Sequence, residues 1–290
     1  MKLATYHQGD TIGIGAVEGE SIIPLTNVAP DMQTLIEMGE KGLAAAKTAV
    51  SNASPATTIP LTDVTLLAPI PLPRRNVMCL GLNYADHAAE SATAKGEKVE
   101  LPQFPVIFNK ATTSVNAPFG NIPLDANVSD KLDWEVELGI VIGRSGKNIK
   151  PDDALSYIFG YTIINDISAR DLQRSHRQFF KGKSLDGACP IGPWIVTADE
   201  IDDPHSLNLS CSVNGITKQA SNTRHLIFNL NATIDHLSRG MTLLPGDIIA
   251  TGTPEGVGFA RTPPEYLQDG DVIECEIEGV GLIRNRITAV

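Results

Sequence analysis

The chain consists largely of short apolar runs separated by turns, and this pattern limits the folds open to it. The strand-like runs include NVMCLGLNY, PVIFNKA, LDWEVELGIVIG, YIFGYTIINDIS and GPWIVTA, with glycine, proline and aspartate between them. Only residues 30–50 and 222–240 resemble substantial helices, with Asp31 as the N-cap of the first and Gly240 as the end of the second. Because few helices lie between many strands, the pattern argues against alternating β-α units. The predicted fold is mainly β with some α, arranged as a β-rich roll or sandwich.

A proline-rich stretch divides the chain. LLAPIPLPRRN, residues 66–76, carries three prolines, whose fixed φ and missing N–H favour an extended linker. Before it, short glycine-bounded strands and one helix predict a small α+β domain over residues 1–70. Residues 71–290 then form the main domain.

Composition and charge limit the kinds of partner that the protein can bind. The net charge is −11, and the scattered basic residues provide no concentrated positive surface for nucleic acid. No apolar run approaches the roughly 20 residues of a membrane span, and the amino terminus lacks the apolar core of a signal peptide. The four cysteines form no CxxC pair, which predicts reduced, buried thiols. We therefore expect a cytoplasmic protein without nucleic-acid or membrane partners.

The run LDWEVELGIVIG places Asp133, Glu135 and Glu137 on alternate positions, and thus on one face of a strand. One interpretation is that this face meets solvent, as in an antiparallel edge strand. The other is a metal site, because Mg²⁺ and Mn²⁺ prefer carboxylate oxygens. Asp166 in YTIINDIS offers a third acid, although it also suits the N-cap of a turn beginning at Ile167.

Other candidates have structural alternatives as well. His87 and Glu90 lie three apart, so on a helix the carboxylate would orient the imidazole as a general base, or the two would form a surface ion pair. Lys181 and Lys183 suit either a substrate oxyanion or a solvated loop. Thr253 and the backbone amides of ATGTPEGVG suit either an oxyanion or a hairpin turn.

Five of these motifs together resemble the fumarylacetoacetate hydrolase family. GLNYADHAAE, LDWEVELGIVIG, GYTIINDISARDLQ, FFKGKSLDGACPIGP and GDIIATGTPEGVG occur here in the order that this family shows. They extend from about residue 76 to the carboxyl terminus. The resemblance implies a β-sandwich roll of the fumarylacetoacetate hydrolase type, a homodimer, and a divalent cation in the pocket.

The resemblance also implies roles for the acids and the histidine. Glu135, Glu137 and Asp166 match the family's metal ligands, so the implied cofactor is Mg²⁺ or Mn²⁺. His87 and Glu90 match a catalytic pair on a mobile lid.

The remaining positions concern the substrate. Lys183 matches a catalytic lysine, and Arg170, Gln173 and Thr253 match substrate-binding positions. Leu82 stands where some relatives have a basic residue that helps to hold a substrate carboxylate.

The implied function is metal-dependent chemistry on a small 2-oxo or 2,4-dioxo carboxylic acid through a stabilised enolate. The two leading reactions are C–C bond hydrolysis of an acylpyruvate or fumarylpyruvate and decarboxylation of oxaloacetate. Alternatives are an isomerase of the 2-hydroxyhepta-2,4-diene-1,7-dioate type and a hydrolase of a sugar-derived dioxo acid. A catalytically silent binding protein with the same fold is the alternative of another class. Such a protein would be expected to lose one of the acids or the His87–Glu90 pair, and this chain retains them.

Overall fold

The computed structural model describes residues 1–290 and contains nineteen strands and six α-helices. The strands are β1 Lys2–Gln8, β2 Thr11–Glu18, β3 Ser21–Pro24, β4 Ile59–Pro60, β5 Thr65–Leu67, β6 Val77–Gly81, β7 Val106–Lys110, β8 Val115–Asn116, β9 Ile122–Leu124, β10 Leu132–Asp133, β11 Val136–Ile142, β12 Ile158–Asn165, β13 Ser168–Ala169, β14 Cys189–Thr197, β15 Asn208–Val213, β16 Ile216–Asn222, β17 Ile248–Ala250, β18 Val272–Ile277 and β19 Gly281–Ala289. The helices are α1 Met32–Glu37, α2 Glu40–Ser51, α3 Ala85–Lys95, α4 Arg170–Ser175, α5 Phe180–Lys183 and α6 Leu230–Ser238.

A mixed sheet of twelve strands forms the frame of the molecule. Its main path runs β4-β3-β2-β1-β14-β12-β11-β17-β6-β7, with β5 paired to β1 and β8 paired to β14. A second sheet of five strands, ordered β16-β15-β18-β19-β9, packs on strands β11, β12 and β14 of the first. The two packed faces enclose the larger hydrophobic core. The predicted mainly β fold with some α is confirmed.

Strand β11 is buried along its whole length. Leu138 and Ile140 point into the larger core, and Val141 points into a smaller core on the opposite side of the sheet. Glu137 shares the face of Val141 because side chains alternate along a strand. The interpretation that the acidic face meets solvent is therefore wrong, since both faces of this central strand are covered.

The first seventy residues extend the large sheet. Strand β1 pairs with β14 in antiparallel register, with Leu3 opposite Ile195. The smaller core also crosses the proline-rich stretch, since it contains Leu3 and Met32 together with Cys79. Sheet and core are thus continuous across residue 70, and the division into two domains there stays a prediction.

The two predicted helices are shorter than expected. Asp31 caps α1 as predicted, accepting a hydrogen bond from the Thr34 N–H at 2.7 Å, but the chain turns at Gly39 (φ 58°) and starts a new helix, α2. The second predicted helix begins only after Asn229, which caps α6. The reason is that the N–H groups of residues 227 and 228 donate to Asn83 instead of to a preceding helical turn.

All four cysteines are buried and free, as predicted. The sheet register brings two of them together, because Cys211 lies opposite Cys275 on neighbouring strands. None of the helices combines the length and the hydrophobicity needed to cross a membrane.

Candidate active site

The predicted strand LDWEVELGIVIG is interrupted at Trp134 and Glu135. Strand β10 pairs with β13, whereas β11 pairs with β12 and β17, so the chain changes partners between them. At this break the Glu135 N–H donates to Asn165 Oδ1 at 3.1 Å, and the Asp166 N–H donates to the Glu135 carbonyl at 2.9 Å. The interruption therefore sets Asp166 directly beside Glu135. Sequence alternation alone predicts one uninterrupted strand and does not show this.

Glu135, Glu137 and Asp166 form a buried carboxylate cluster. Each offers an oxygen, and these oxygens lie within 4.8 Å of one another. Glu137 accepts the Gly252 N–H at 2.7 Å and forms no salt bridge. Burial, together with the charges of Asp166 and Glu135, raises the pKa of Glu137 well above its usual range. A cluster of hard oxygen donors with one uncompensated carboxylate fits a divalent cation such as Mg²⁺ or Mn²⁺.

Two buried lysines flank the cluster. The Lys183 ammonium donates to Glu135 Oε2 at 2.6 Å and to Asp166 Oδ2 at 2.7 Å. Lys110 Nζ lies 2.8 Å from Asp166 Oδ1 and donates to the Ile167 carbonyl at 3.0 Å. Asp166 thus meets two ammonium groups, and its carboxylate does not cap a turn. Lys110 is not predicted from the sequence, where its only signal is a lysine at the end of an apolar strand.

These contacts set the charge states. Burial alone would raise the pKa of Glu135, but Lys183 and Arg170 lower it to about 2. Burial would lower the pKa of Lys183, but Asp166 and Glu135 raise it above its ordinary value. Glu135 and Lys183 are therefore both charged around neutral pH.

Asp133 organises the neighbouring loop. Its carboxylate accepts the backbone N–H of Gly258 at 2.7 Å and that of Phe259 at 3.0 Å, and it also accepts Arg170 Nε at 2.7 Å. Although Asp133 alternates with the two glutamates in sequence, it therefore serves the loop and the arginine.

Arg170 and Gln173 lie on α4 and line the pocket. Besides Asp133, the Arg170 guanidinium contacts Glu135 Oε1 at 2.7 Å and donates to Gln173 Oε1 at 3.0 Å. The nearby carboxylates of Asp133 and Glu135 raise the pKa of Arg170 despite its burial. Part of its donor capacity is thus committed inside the protein, and the substrate-binding role of both residues stays a prediction.

His87 and Glu90 lie side by side on α3, as their spacing predicts. His87 Nδ1 is 2.8 Å from Glu90 Oε1, and Glu90 also accepts the Gly256 N–H at 2.9 Å. Glu90 thereby connects the histidine to the loop of ATGTPEGVG. With Nδ1 engaged, Nε2 of His87 is the nitrogen left to exchange a proton with a substrate.

The turn before α3 is fixed by Asn83, which the sequence analysis also missed. Its side chain donates to the carbonyls of Thr251 and Phe228 at 2.7 and 3.0 Å and accepts the Phe228 N–H at 2.8 Å. The preceding Leu82 lines the pocket with φ of 53°, a conformation that is uncommon for a bulky residue. Asn83 therefore holds a strained turn that aims α3 at the carboxylate cluster.

The loop of ATGTPEGVG hydrogen-bonds two glutamates: the Gly252 N–H donates to Glu137, and the Gly256 N–H donates to Glu90. Gly252 has φ of 101°, and a Cβ added there would lie 2.7 Å from the Asn83 Cβ, so only glycine can present its N–H to Glu137. The Thr253 hydroxyl donates to the Val136 carbonyl at 2.9 Å and accepts from Gln219 at 2.8 Å. Thr253 must give up the first bond before it can donate to a substrate, and its substrate-binding role stays a prediction.

A cavity of about 360 Å³ opens onto the cluster. Glu90 and Asp166 lie behind its wall, and Lys181 lines a different cavity. The other candidate side chains reach the cavity itself: His87, Glu135, Glu137, Arg170, Gln173, Lys183 and Thr253.

A buried carboxylate cluster and a histidine–glutamate pair, facing one cavity of a β-sandwich, define a class of enzyme rather than a binding module. The chain belongs to the fumarylacetoacetate hydrolase family, since the family model described as fumarylacetoacetate (FAA) hydrolase C-terminal matches residues 76–288. The predicted family resemblance and fold type are thereby confirmed.

Relatives extend this match over nearly the whole chain. The mitochondrial oxaloacetate tautomerase Fahd2a of Rattus norvegicus is 42% identical over 281 residues, which cover 95% of this chain and 87% of that protein. The oxaloacetate tautomerase YisK of Bacillus subtilis is 45% identical over 227 residues, covering 78% and 74%. The crystal structure of maleylpyruvate hydrolase from Sphingobium sp. SYK-6, in complex with manganese(II) and pyruvate, is 30% identical with a TM-score of 0.81, covering 100% and 99%.

Proposed function

We propose that the protein catalyses a divalent-metal-dependent reaction of a 2-oxo carboxylic acid through its enol form, with oxaloacetate as the favoured substrate. The observation that carries this proposal is the buried cluster of Glu135, Glu137 and Asp166, whose two glutamates line the same cavity as His87. The choice of oxaloacetate is supported by the two relatives named oxaloacetate tautomerases, at 42% and 45% identity.

In this proposal Glu135, Glu137 and Asp166 hold Mg²⁺ or Mn²⁺. When bound, the cation supplies Lewis acidity to the 2-oxo acid and lowers the free energy of its enolate. His87 Nε2 takes a proton from C3 of the keto acid, and the resulting imidazolium gives a proton to the enolate oxygen to form the enol; the reverse sequence returns the keto form. Glu90 holds the imidazole through Nδ1 and stabilises its protonated form.

The lysine completes the proposed site. Lys183 is charged, buried and adjacent to two of the proposed ligands, so it stabilises negative charge that develops on the substrate oxygen. Decarboxylation of oxaloacetate uses the same groups: the C3–C4 bond breaks, carbon dioxide leaves, and the electron pair forms the pyruvate enolate, which takes a proton from water at C3 to give pyruvate.

A second candidate is hydrolysis of a C–C bond in an acylpyruvate-type acid. It is favoured by the His87–Glu90 pair, whose geometry suits removal of a proton from water, and by the likeness to maleylpyruvate hydrolase. Water attacks the distal carbonyl carbon, the C–C bond breaks, and pyruvate enolate leaves with the bonding electrons.

A homodimer and a cytoplasmic location remain predictions of the family resemblance.

A substrate panel tests the proposal. Protein supplied with Mn²⁺ is given oxaloacetate, an acylpyruvate and an unsaturated 2-oxo diacid; the enol absorbance is followed and products are identified by mass. We expect fast enol–keto interconversion of oxaloacetate. Cleavage of the acylpyruvate without action on oxaloacetate would establish the second candidate instead, and no turnover of any of them would contradict both.

A further inference from the structure

The wall of the cavity carries positive charge that the proposed chemistry does not use. Arg174 and Arg177 both line the cavity and are exposed. Arg170 pairs with Asp133 and Glu135, whereas neither Arg174 nor Arg177 forms a salt bridge within the chain. In a protein with a net charge of −11, two unpaired arginines on one cavity wall create a local field that attracts anions.

The ring of Phe259 contacts both Arg170 and Arg174, and this shared contact places Arg174 relative to the carboxylate cluster. The guanidinium carbon of Arg170 lies 4.5 Å from the centroid of the Phe259 ring, and that of Arg174 lies 5.4 Å from the same centroid. Arg174 follows Arg170 by four residues on α4, so their backbones are roughly 6 Å apart along the helix axis. Because Arg170 contacts Glu135 directly, Arg174 lies about one helical turn outward from the proposed metal site.

The chemistry of arginine suits a carboxylate at this position. A guanidinium that stacks on an aromatic face keeps the N–H donors along its edge, and this planar fork matches the two oxygens of a carboxylate. Arg177 follows the end of α4 and contributes a second guanidinium to the same wall. Glu97 also lines the cavity, but it forms no salt bridge with either arginine.

We propose that Arg174 and Arg177 form an anion subsite for the second carboxylate of a 2-oxo dicarboxylic acid, and so select diacids over monoacids. The inference rests on the proposed function, since it takes the 2-oxo acid end of the substrate to be held at Glu135, Glu137 and Asp166. Arg174 and Arg177 thereby supply the positive charge that Leu82 does not provide. The subsite is a specificity device and takes no part in proton transfer.

Kinetics of the whole 290-residue chain loaded with Mn²⁺ test the subsite. In Arg174→Gln and Arg177→Gln we expect kcat/KM for oxaloacetate to fall about tenfold each, mainly through KM, because each removes one charge-assisted contact. Pyruvate, which has a single carboxylate, serves as a competitive inhibitor, and its inhibition constant is expected to change less than twofold. Arg174→Lys should recover part of the loss because it keeps the charge. Lys181→Gln is the matched control, since it removes a nearby positive charge that lies outside this cavity.

The outcomes separate this inference from the proposed function. Wild-type protein that does not convert oxaloacetate with Mn²⁺ contradicts the proposed function, and the subsite falls with it. Normal wild-type conversion, with an unchanged kcat/KM in the variant that combines Arg174→Gln and Arg177→Gln, overturns the subsite alone. An equal weakening of oxaloacetate turnover and pyruvate inhibition overturns it as well, because a general loss of binding is not recognition of a second carboxylate.

Discussion

Glu137 is the residue whose environment most needs a cation. Its carboxylate is buried beside two other acids and receives one backbone N–H and no positively charged side chain. In Glu137→Gln we expect Mn²⁺ affinity to fall at least about 100-fold, because losing an outer partner of a metal ligand already costs 10–100-fold. Calorimetric titration measures the affinity. Glu20→Gln, at an exposed glutamate that does not line the cavity, is the control.

The same residue predicts a pH effect. Burial and the neighbouring acids raise the pKa of Glu137, so between the ordinary glutamate value of about 4.3 and this raised value the carboxyl group carries a proton. Mn²⁺ binding must then release that proton, and affinity must fall as the pH is lowered through the raised pKa. Titrations in two buffers of different ionisation enthalpy should differ for the wild type and agree for Glu137→Gln. Identical heats for the wild type would contradict the prediction.

His87 is expected to act in proton transfer alone. In His87→Ala, kcat should fall about 100-fold or more, the usual contribution of a positioned acid or base, while Mn²⁺ affinity changes less than twofold. His205→Ala is the matched control, because His205 also lies near a carboxylate, 3.7 Å from Asp203, but outside the cavity. Unchanged turnover in His87→Ala would remove it from the proposed mechanism.

Single residues differ in how far the sequence predicts them. Glu135, Glu137, Asp166 and His87 stand in short motifs whose order reveals the family; Glu135, Glu137 and His87 line one cavity, and Asp166 lies against the two glutamates behind its wall. Lys110 is invisible to such reasoning because its contact with Asp166 depends on how β7 packs. The sequence shows which residue types are present, but contacts between residues far apart in sequence depend on how the elements pack.

At the scale of elements, Asp133 holds three pieces together. It joins β10 to the loop at Gly258 and Phe259 and to α4 through Arg170. Removing one partner of a buried ion pair leaves the other charge uncompensated, so Asp133→Ala should lower the free energy of unfolding by about 3 kcal/mol or more. Denaturant titration measures this. Asp130→Ala, in an exposed pair with Lys131, should change it by less than about 0.5 kcal/mol.

If Asp133→Ala unfolds at the same denaturant concentration as the wild type, the connecting role is wrong. The interruption of the strand also explains why the connecting role of Asp133 was not predicted. Strand periodicity puts Asp133 on the face of Glu135 and Glu137, but the change of pairing partner at Trp134 ends the regular strand. Periodicity is local, whereas the break arises from pairing with β12 and β13.

At the scale of the whole molecule, the first seventy residues share their sheet and their core with the rest. Strand β1 pairs with β14, and the smaller core contains residues from both sides of the proline-rich stretch. We therefore expect scanning calorimetry to record a single cooperative unfolding transition. Two separate transitions would show instead that residues 1–70 fold independently.

The mainly β architecture was predictable because many short apolar runs with few helices leave little choice. The pairing of β1 with β14 was not, since it joins strands almost two hundred residues apart and leaves no local signal.

The central claim is that a divalent cation, held by Glu135, Glu137 and Asp166, is needed for enol–keto interconversion of a 2-oxo acid in this cavity. The most direct measurement is the rate of this interconversion for oxaloacetate after complete chelation, followed by stepwise addition of Mn²⁺ or Mg²⁺. We predict that the enzymatic rate disappears on chelation and returns with saturable dependence on the added cation in the wild type, but not at the same concentrations in Glu137→Gln. An enzymatic rate that survives chelation, or that never exceeds the metal-catalysed rate in buffer, would contradict the claim.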